Sequence, residues 1–285
     1  MPAGVTSRLR LGVISPHMDD AALSCGRVLA AFPGSHVVTV FSGGPAGVRP
    51  LPDWDRRSGV FEPGDDVMGM RHVEDDEAMK VVGAHAHRLE FWDEQYRAGR
   101  PVTWPRFRPG AVARAAARLA HDPQLEDAIY DRLCTVVESL EAETWLIPLG
   151  LWHGDHKKTA RACLRLARQV RGRQWVVYEE LPYRLEVHAE VEEAHRRLEE
   201  EGFRLAPWAP PGPGPSPSAA GAPGENGAAG QQKYKMIAAY RSQVACLGAR
   251  VDAAVANAEV FHLLAAPPAT GPRPSPEQTG GSGNN

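Results

Sequence analysis

The sequence predicts an α/β fold: a mostly parallel, doubly wound sheet with helices on both faces and a site at the strand carboxyl ends. Three observations predict it. Strand-length apolar runs alternate with helical patterns as far as Tyr178. The first unit, Leu9 to Phe41, reads β-α-β within about 35 residues, which favours parallel pairing. Two of the apolar runs end abruptly in clusters of histidine and aspartate. The carboxyl ends of strands are where open α/β sheets bind ligands.

Taken in order, Leu9 to Ser15 is the first strand. Ala21 to Ala31 is a helix stopped by Phe32-Pro33-Gly34, and His36 to Phe41 is a β-branched second strand. Ser42 to Gly64, rich in Gly and Pro, is a long loop of the kind that often carries function. Asp66 to Val82 is a helix with Met70, Val73, Ala78, Val81 and Val82 as its apolar positions, and Gly83 is its C-cap. His87 to Trp92 is a third strand. Gln95 to Asp122 is a second long loop with a short helix around Ala111 to Leu119. Leu125 to Leu140 is a helix, Thr144 to Pro148 a fourth strand, His156 to Val170 a helix and Gln174 to Tyr178 a fifth strand. Ala189 to Glu201 is a charged helix, Phe203 to Trp208 an edge strand, and Gln232 to Leu247 and Arg250 to Leu264 two further helices. The expected organisation is an α/β catalytic domain (1–208), a flexible Pro/Gly/Ala-rich linker (209–230), C-terminal helices packed on the domain (231–264) and a disordered tail (265–285).

Composition excludes several classes. The 285 residues carry a net charge of −3, so no global basic field points to nucleic acid. Cys25, Cys134, Cys163 and Cys246 lie far apart and form no CxxC pair, so reduced thiols are expected rather than disulfides or a cysteine zinc site. No run approaches the ~20 apolar residues of a membrane span, and a cytoplasmic protein is expected. There is no phosphate-binding GxxxxGK[ST] loop and no GxSxG elbow. Ser42-Gly43-Gly44-Pro45-Ala46-Gly47 lacks dinucleotide-binding spacing.

The chemistry sits at the two strand ends. The first gives Pro16-His17-Met18-Asp19-Asp20, the fourth His153-Gly154-Asp155-His156. His17 and Asp20 make a half-site for a divalent metal, and one more histidine, His153 or His156, gives three ligands with an open position, the catalytic arrangement. Asp19 is then left to take a proton from water, and the remaining histidine to stabilise an oxyanion or protonate a leaving amine. Asp155 can hold a histidine in the needed tautomer. The two loops meet only if strands one and four are neighbours. The plainer alternative is that Asp19-Asp20 caps a helix and nothing more.

These residues resemble the PIG-L (LmbE-like) family of zinc-dependent de-N-acetylases, whose motifs are PHxDD and, about 130 residues later, HxDH. The similarity extends through Arg71-His72-Val73-Glu74-Asp75, Tyr178-Glu179-Glu180-Leu181-Pro182-Tyr183 and Tyr240-Arg241-Ser242-Gln243. The resemblance implies a Rossmann-like sheet, with His17, Asp20 and His156 as metal ligands, Asp19 as general base and His153 as the acid or electrostatic group. It further implies that Asp155 orients His153 and that Arg71 and Asp93 contact the sugar. The implied cofactor is Zn2+, with Fe2+ as another ion this donor set accepts. The implied partner is a small N-acetylated sugar or glycoconjugate; hydrolysis of another amide, or sugar and metal binding without catalysis, are the alternatives. Met18 and Ala21 depart from the frequent PHPDDE form. Trp54, Trp92, Trp104 and Trp152 fall in or beside predicted loops; Trp152 is the candidate sugar platform, and Tyr183 a candidate substrate contact. His72, His85, His87 and His121 fit no metal spacing and are expected on the surface or in packing.

Overall fold

A computed structural model describes residues 9–47, 50–97, 122–211 and 227–265. Five parallel strands form the body of one sheet: β1 (Leu11–Ser15), β2 (His36–Thr39), β3 (His85–Arg88), β4 (Thr144–Pro148) and β5 (Gln174–Tyr178). Two later strands, β6 (Arg204–Pro207) and β7 (Phe261–Ala265), complete it in the order β3-β2-β1-β4-β5-β7-β6. β7 runs antiparallel to both its neighbours. The chain winds outward from β1 to β3, then returns and winds the other way from β4. The reversal therefore falls between β1 and β4, paired Leu11 to Thr144 and Val13 to Leu146. This is the Rossmann-like α/β architecture with its crevice at the switch point.

The central strands are buried on both faces, as parallel strands covered by helices must be. One face carries α1 (Asp20–Ala31), α3 (Val67–Val82) and the C-terminal helices α8 (Ala228–Ala239), α9 (Arg241–Leu247) and α10 (Ala249–Ala256). The other carries α4 (Pro123–Ser139), α5 (Gly154–Gln169) and α7 (His188–Glu200). Two short helices, α2 (Asp53–Ser58) and α6 (Tyr183–Glu186), flank the crevice.

Several elements differ from the sequence reading. The stretch Arg250 to Leu264 is half helix and half strand: after Asn257 the chain extends, and β7 buries Phe261 and Leu264 between β5 and β6. Gln232 to Leu247 is two helices, because Tyr240 leaves the helical region (ψ 62°). The helix expected from Gln232 begins earlier, at Ala228, inside the stretch read as linker. The third strand is shorter and earlier than expected. Glu90 takes a left-handed conformation (φ 58°) that breaks the ladder, although Leu89 and Phe91 still donate to Thr39 and Val40. The Ser42 to Gly64 loop contains α2. In α3 the expected apolar positions Met70 and Val73 are exposed, and the inward face instead buries Arg71, Glu74 and Asp75. Those carboxylates meet the C-terminal segment: Ser242 donates from N and Oγ to Glu74 (3.0 and 2.6 Å), and Tyr240 Oη donates to Asp75 (2.7 Å). The Arg71–Asp75 and Tyr240–Gln243 stretches of the similarity are thus halves of one contact. Met18 and Ala21 are both buried in the core. The Ala111 to Leu119 helix, Trp104, His121, residues 212–226 of the linker and the tail from 266 lie outside the described residues. Among the described residues no helix is long and apolar enough to cross a membrane, and all four cysteines are free thiols.

Candidate active site

At the end of β1 the chain turns sharply into α1. Ser15 fixes the turn, its Oγ donating to His17 O (2.5 Å) and accepting from Ala21 N (3.0 Å). Asp20 Oδ2 accepts from His17 N (2.8 Å) and stands 3.3 Å from His17 Nδ1. Asp19 occupies the N-cap position of α1 but its side chain makes no capping bond. The purely capping reading of the aspartate pair therefore does not describe it. Asp19 faces the cleft, where burial, and then the neighbouring Asp20 charge, push its pKa up to about 6.

At the end of β4 the turn requires Gly150. Its φ is +90°, and a Cβ there would lie 2.8 Å from Ala160 Cβ. Trp152 also takes a positive φ (60°), a strained conformation for a bulky residue, held by its N–H on Glu190 Oε2 (2.8 Å). His153 then caps α5, its Nδ1 accepting from Asp155 N (3.2 Å). That bond assigns the ring proton to Nε2. Burial, then the His17 charge, lowers the His153 pKa to about 4, so the ring is a neutral donor at pH 7.

His156, one turn into α5, is fully buried. Its Nε2 lies 3.0 Å from Asp20 Oδ2 and its Nδ1 3.3 Å from Glu180 Oε1. Two imidazole nitrogens thus converge on one carboxylate oxygen. His156 Nε2 is sealed from solvent yet makes no hydrogen bond, as befits a nitrogen whose lone pair serves a metal. Burial depresses the His156 pKa, but Asp20 and Glu180 together outweigh it and raise it to about 9, so this pocket favours positive charge. Two nitrogens and one oxygen suit a borderline divalent ion, and His17, Asp20 and His156 fit one. A second carboxylate backs each histidine: Glu180 on His156, and Asp155, whose Oδ2 lies 3.5 Å from His17 Nε2.

Asp155 orients His153 through its backbone N–H and turns its carboxylate to His17. Its carboxylate accepts from Glu94 N (3.0 Å) and Arg97 and faces His17, whereas its link to His153 runs through the backbone N–H. Burial alone would raise its pKa, but His17, His153 and Arg97 hold it well below the usual carboxylate range.

A cleft of about 320 Å³ opens over this cluster. Arg71 and Asp93 line it 3.7 Å apart. Arg71 is held from behind by the fully buried Asp55 (2.5 Å), which also accepts from Tyr96 Oη (2.5 Å). Tyr183 lines it too, edge-on to His156 with ring centroids 5.2 Å apart. Trp152 does not line the cleft; its aromatic place is taken by Trp54, whose Nε1 donates to Gln243 Oε1 (2.9 Å). Glu180, Asp55 and Glu94 were not singled out from the sequence. Glu180 was visible only as part of a similarity motif, and Asp55 carried no signal at all. His72 Nε2 donates to Ser42 O, and His87 meets His36, both away from the cleft.

The family model described as GlcNAc-PI de-N-acetylase, PIG-L, matches residues 12–167. The chain belongs to the PIG-L family. A family relative, 2'-N-acetylparomamine deacetylase of Niallia circulans, is 30% identical over 208 residues, covering 65% of this chain and 72% of the relative. Among solved structures, the A40926 pseudoaglycone deacetylase Dbv21 superposes with a TM-score of 0.62 at 23% identity, over 90% of this chain and 96% of that one. The zinc-inhibited form of the teicoplanin deacetylase Orf2 gives 0.61 at 20% identity, over 90% and 97%. These structures share the PIG-L fold described above.

Proposed function

We propose that the protein is a metal-dependent hydrolase that removes an N-acetyl group from an amino sugar or a related small glycoconjugate. The observation that carries this is the His17–Asp20–His156 cluster at the switch point, flanked in one cleft by Asp19 and His153. A purely metal-binding protein has no use for a carboxylate left uncapped beside the ligands. The family and the N-acetylparomamine relative support an amino-sugar substrate. The acidic lining from Asp19, Asp53, Asp93 and Glu94 suits a product that gains a cationic amine.

When bound, a divalent ion supplies Lewis-acid polarisation of the acyl carbonyl and eases deprotonation of water. Zn2+ is the proposed ion, and Fe2+ the other that the donors accept. His17, Asp20 and His156 hold it. Asp19 takes the proton of the attacking water and returns it to the departing amine. His153, neutral with its Nε2–H toward the cleft, donates to the developing oxyanion. Glu180 and Asp155 keep the two ligating rings in register. Arg71 and Asp93 bind sugar hydroxyls, and Trp54 and Tyr183 offer ring faces. The protein acts in the cytoplasm. A panel of N-acetylated amino sugars, assayed for acetate and free amine, tests the reading. Release from at least one member is expected, and no release from any by metal-loaded protein would refute it.

A further inference from the structure

Away from the cleft, the described residues hold another convergence of metal-competent groups. Glu179 follows β5, His195 lies on α7 and His262 on β7. His262 Nε2 lies 2.9 Å from Glu179 Oε1, and His195 Nε2 lies 3.4 Å from the same oxygen. The catalytic trio shows the same pattern, with two imidazole nitrogens 3.0 and 3.3 Å from Asp20 Oδ2. A tetrahedral ion with bonds near 2.0–2.1 Å separates its ligand atoms by about 3.3 Å, so both clusters are close to coordination spacing.

The hydrogen-bonding pattern points the same way. Glu179 Oε1 and His262 satisfy each other, but His195 Nε2, sealed from solvent, makes no hydrogen bond. Burial, and then the neighbouring His262, lower the His195 pKa. Burial pushes the Glu179 pKa up, but its hydrogen bond to His262 outweighs this and brings it below its ordinary value. The other oxygen, Oε2, faces Arg184 at 3.9 Å, leaving Oε1 to the histidines. The side chains of His195 and His262 remain 27% and 18% exposed, so the cluster lies near the surface.

We propose that Glu179, His195 and His262 form a second divalent transition-metal site, distinct from the catalytic one. An ion there clips β7 and α7 to the end of β5. It thereby fastens the C-terminal segment to the strand whose next residue, Glu180, supports His156. The ligand class is a borderline ion such as Zn2+, by the same donor chemistry as the first site.

The test is zinc counting on the full chain, stripped with chelator and equilibrated with Zn2+. Wild type should bind two equivalents and His195→Gln one. The His17→Ala/His156→Ala double variant should also bind one, and its melting temperature should rise with Zn2+. That rise should disappear when His195→Gln is added. One equivalent in wild type, or an unchanged count in His195→Gln, overturns the proposal. The wild-type comparison decides even if the double variant does not fold. Because the readout is metal and not acetate, its failure is separate from any failure of the proposed deacetylation.

Discussion

Replacing Glu180 by Gln separates metal support from packing. Glu180 is fully buried, and its Oε1 accepts from Gly150 N (2.8 Å) and Leu151 N (3.1 Å) while facing His156 Nδ1 (3.3 Å). A glutamine carbonyl at the same position still accepts from both backbone donors, so the β4 turn survives. What it loses is the negative charge that makes His156 a strong donor. Removing such a supporting carboxylate typically lowers metal affinity about 10–100-fold, or about 1.4–2.7 kcal/mol. The new amide nitrogen falls where Oε2 lies, a buried atom without a hydrogen bond, at a further cost of about 1–3 kcal/mol in stability. Glu180→Ala abandons all three contacts and should destabilise by about 3–5 kcal/mol. The assay is zinc competition against a chromogenic chelator, with a thermal melt on the same sample. Gln with unchanged affinity, or Gln as unstable as Ala, would refute this view of Glu180.

Four further outcomes are expected. Asp19→Asn should keep the catalytic metal and lose about 10²–10⁴-fold in turnover, because an amide accepts no proton from water; loss of metal instead would reverse the roles of the aspartate pair. Since Asp19 works as the carboxylate and its pKa lies near 6, kcat/KM should fall as pH drops through that region, and the limb should vanish in Asp19→Asn. His17→Ala or His156→Ala should abolish activity and the catalytic equivalent of metal while a far-ultraviolet spectrum stays that of the folded chain; His156→Ala, which leaves Asp20 and Glu180 buried without their partner, should melt below metal-stripped wild type. Arg71→Ala leaves Asp55 buried without its cation and should cost about 3–5 kcal/mol, measured by urea unfolding, besides raising KM.

The parallel core was legible because its strands are buried on both faces and read as uninterrupted apolar runs; Thr144–Pro148 and Gln174–Tyr178 stand where the pattern put them. The two motif loops were legible because each terminates a strand, and the doubly wound order brings them together. The C-terminal strand was not. Phe261-His262-Leu263-Leu264 is a short apolar run after an alanine-rich helix, and at that length periodicity does not separate strand from helix. The polar inward face of α3 was equally hidden, since Glu74 and Asp75 find their partners more than 160 residues away. Trp152 shows the limit of composition. Its position beside the motif suggested a ring over the sugar, but the left-handed turn directs its backbone to Glu190, and the cleft takes its indole from Trp54 instead. Asp155 shows the same limit for geometry, since spacing placed it beside the right histidines without saying which one its carboxylate would face.

The most direct test of the central claim follows acetate and metal on one sample. Protein stripped with chelator is titrated back with Zn2+, and separately with Fe2+, in the presence of an N-acetylated amino sugar that the panel identifies. Acetate release should be absent from the stripped protein and return in proportion to refilling of the His17–Asp20–His156 site, and it should stay absent in His156→Ala at any metal concentration. Full acetate release by metal-free protein, or by His156→Ala, would contradict the account.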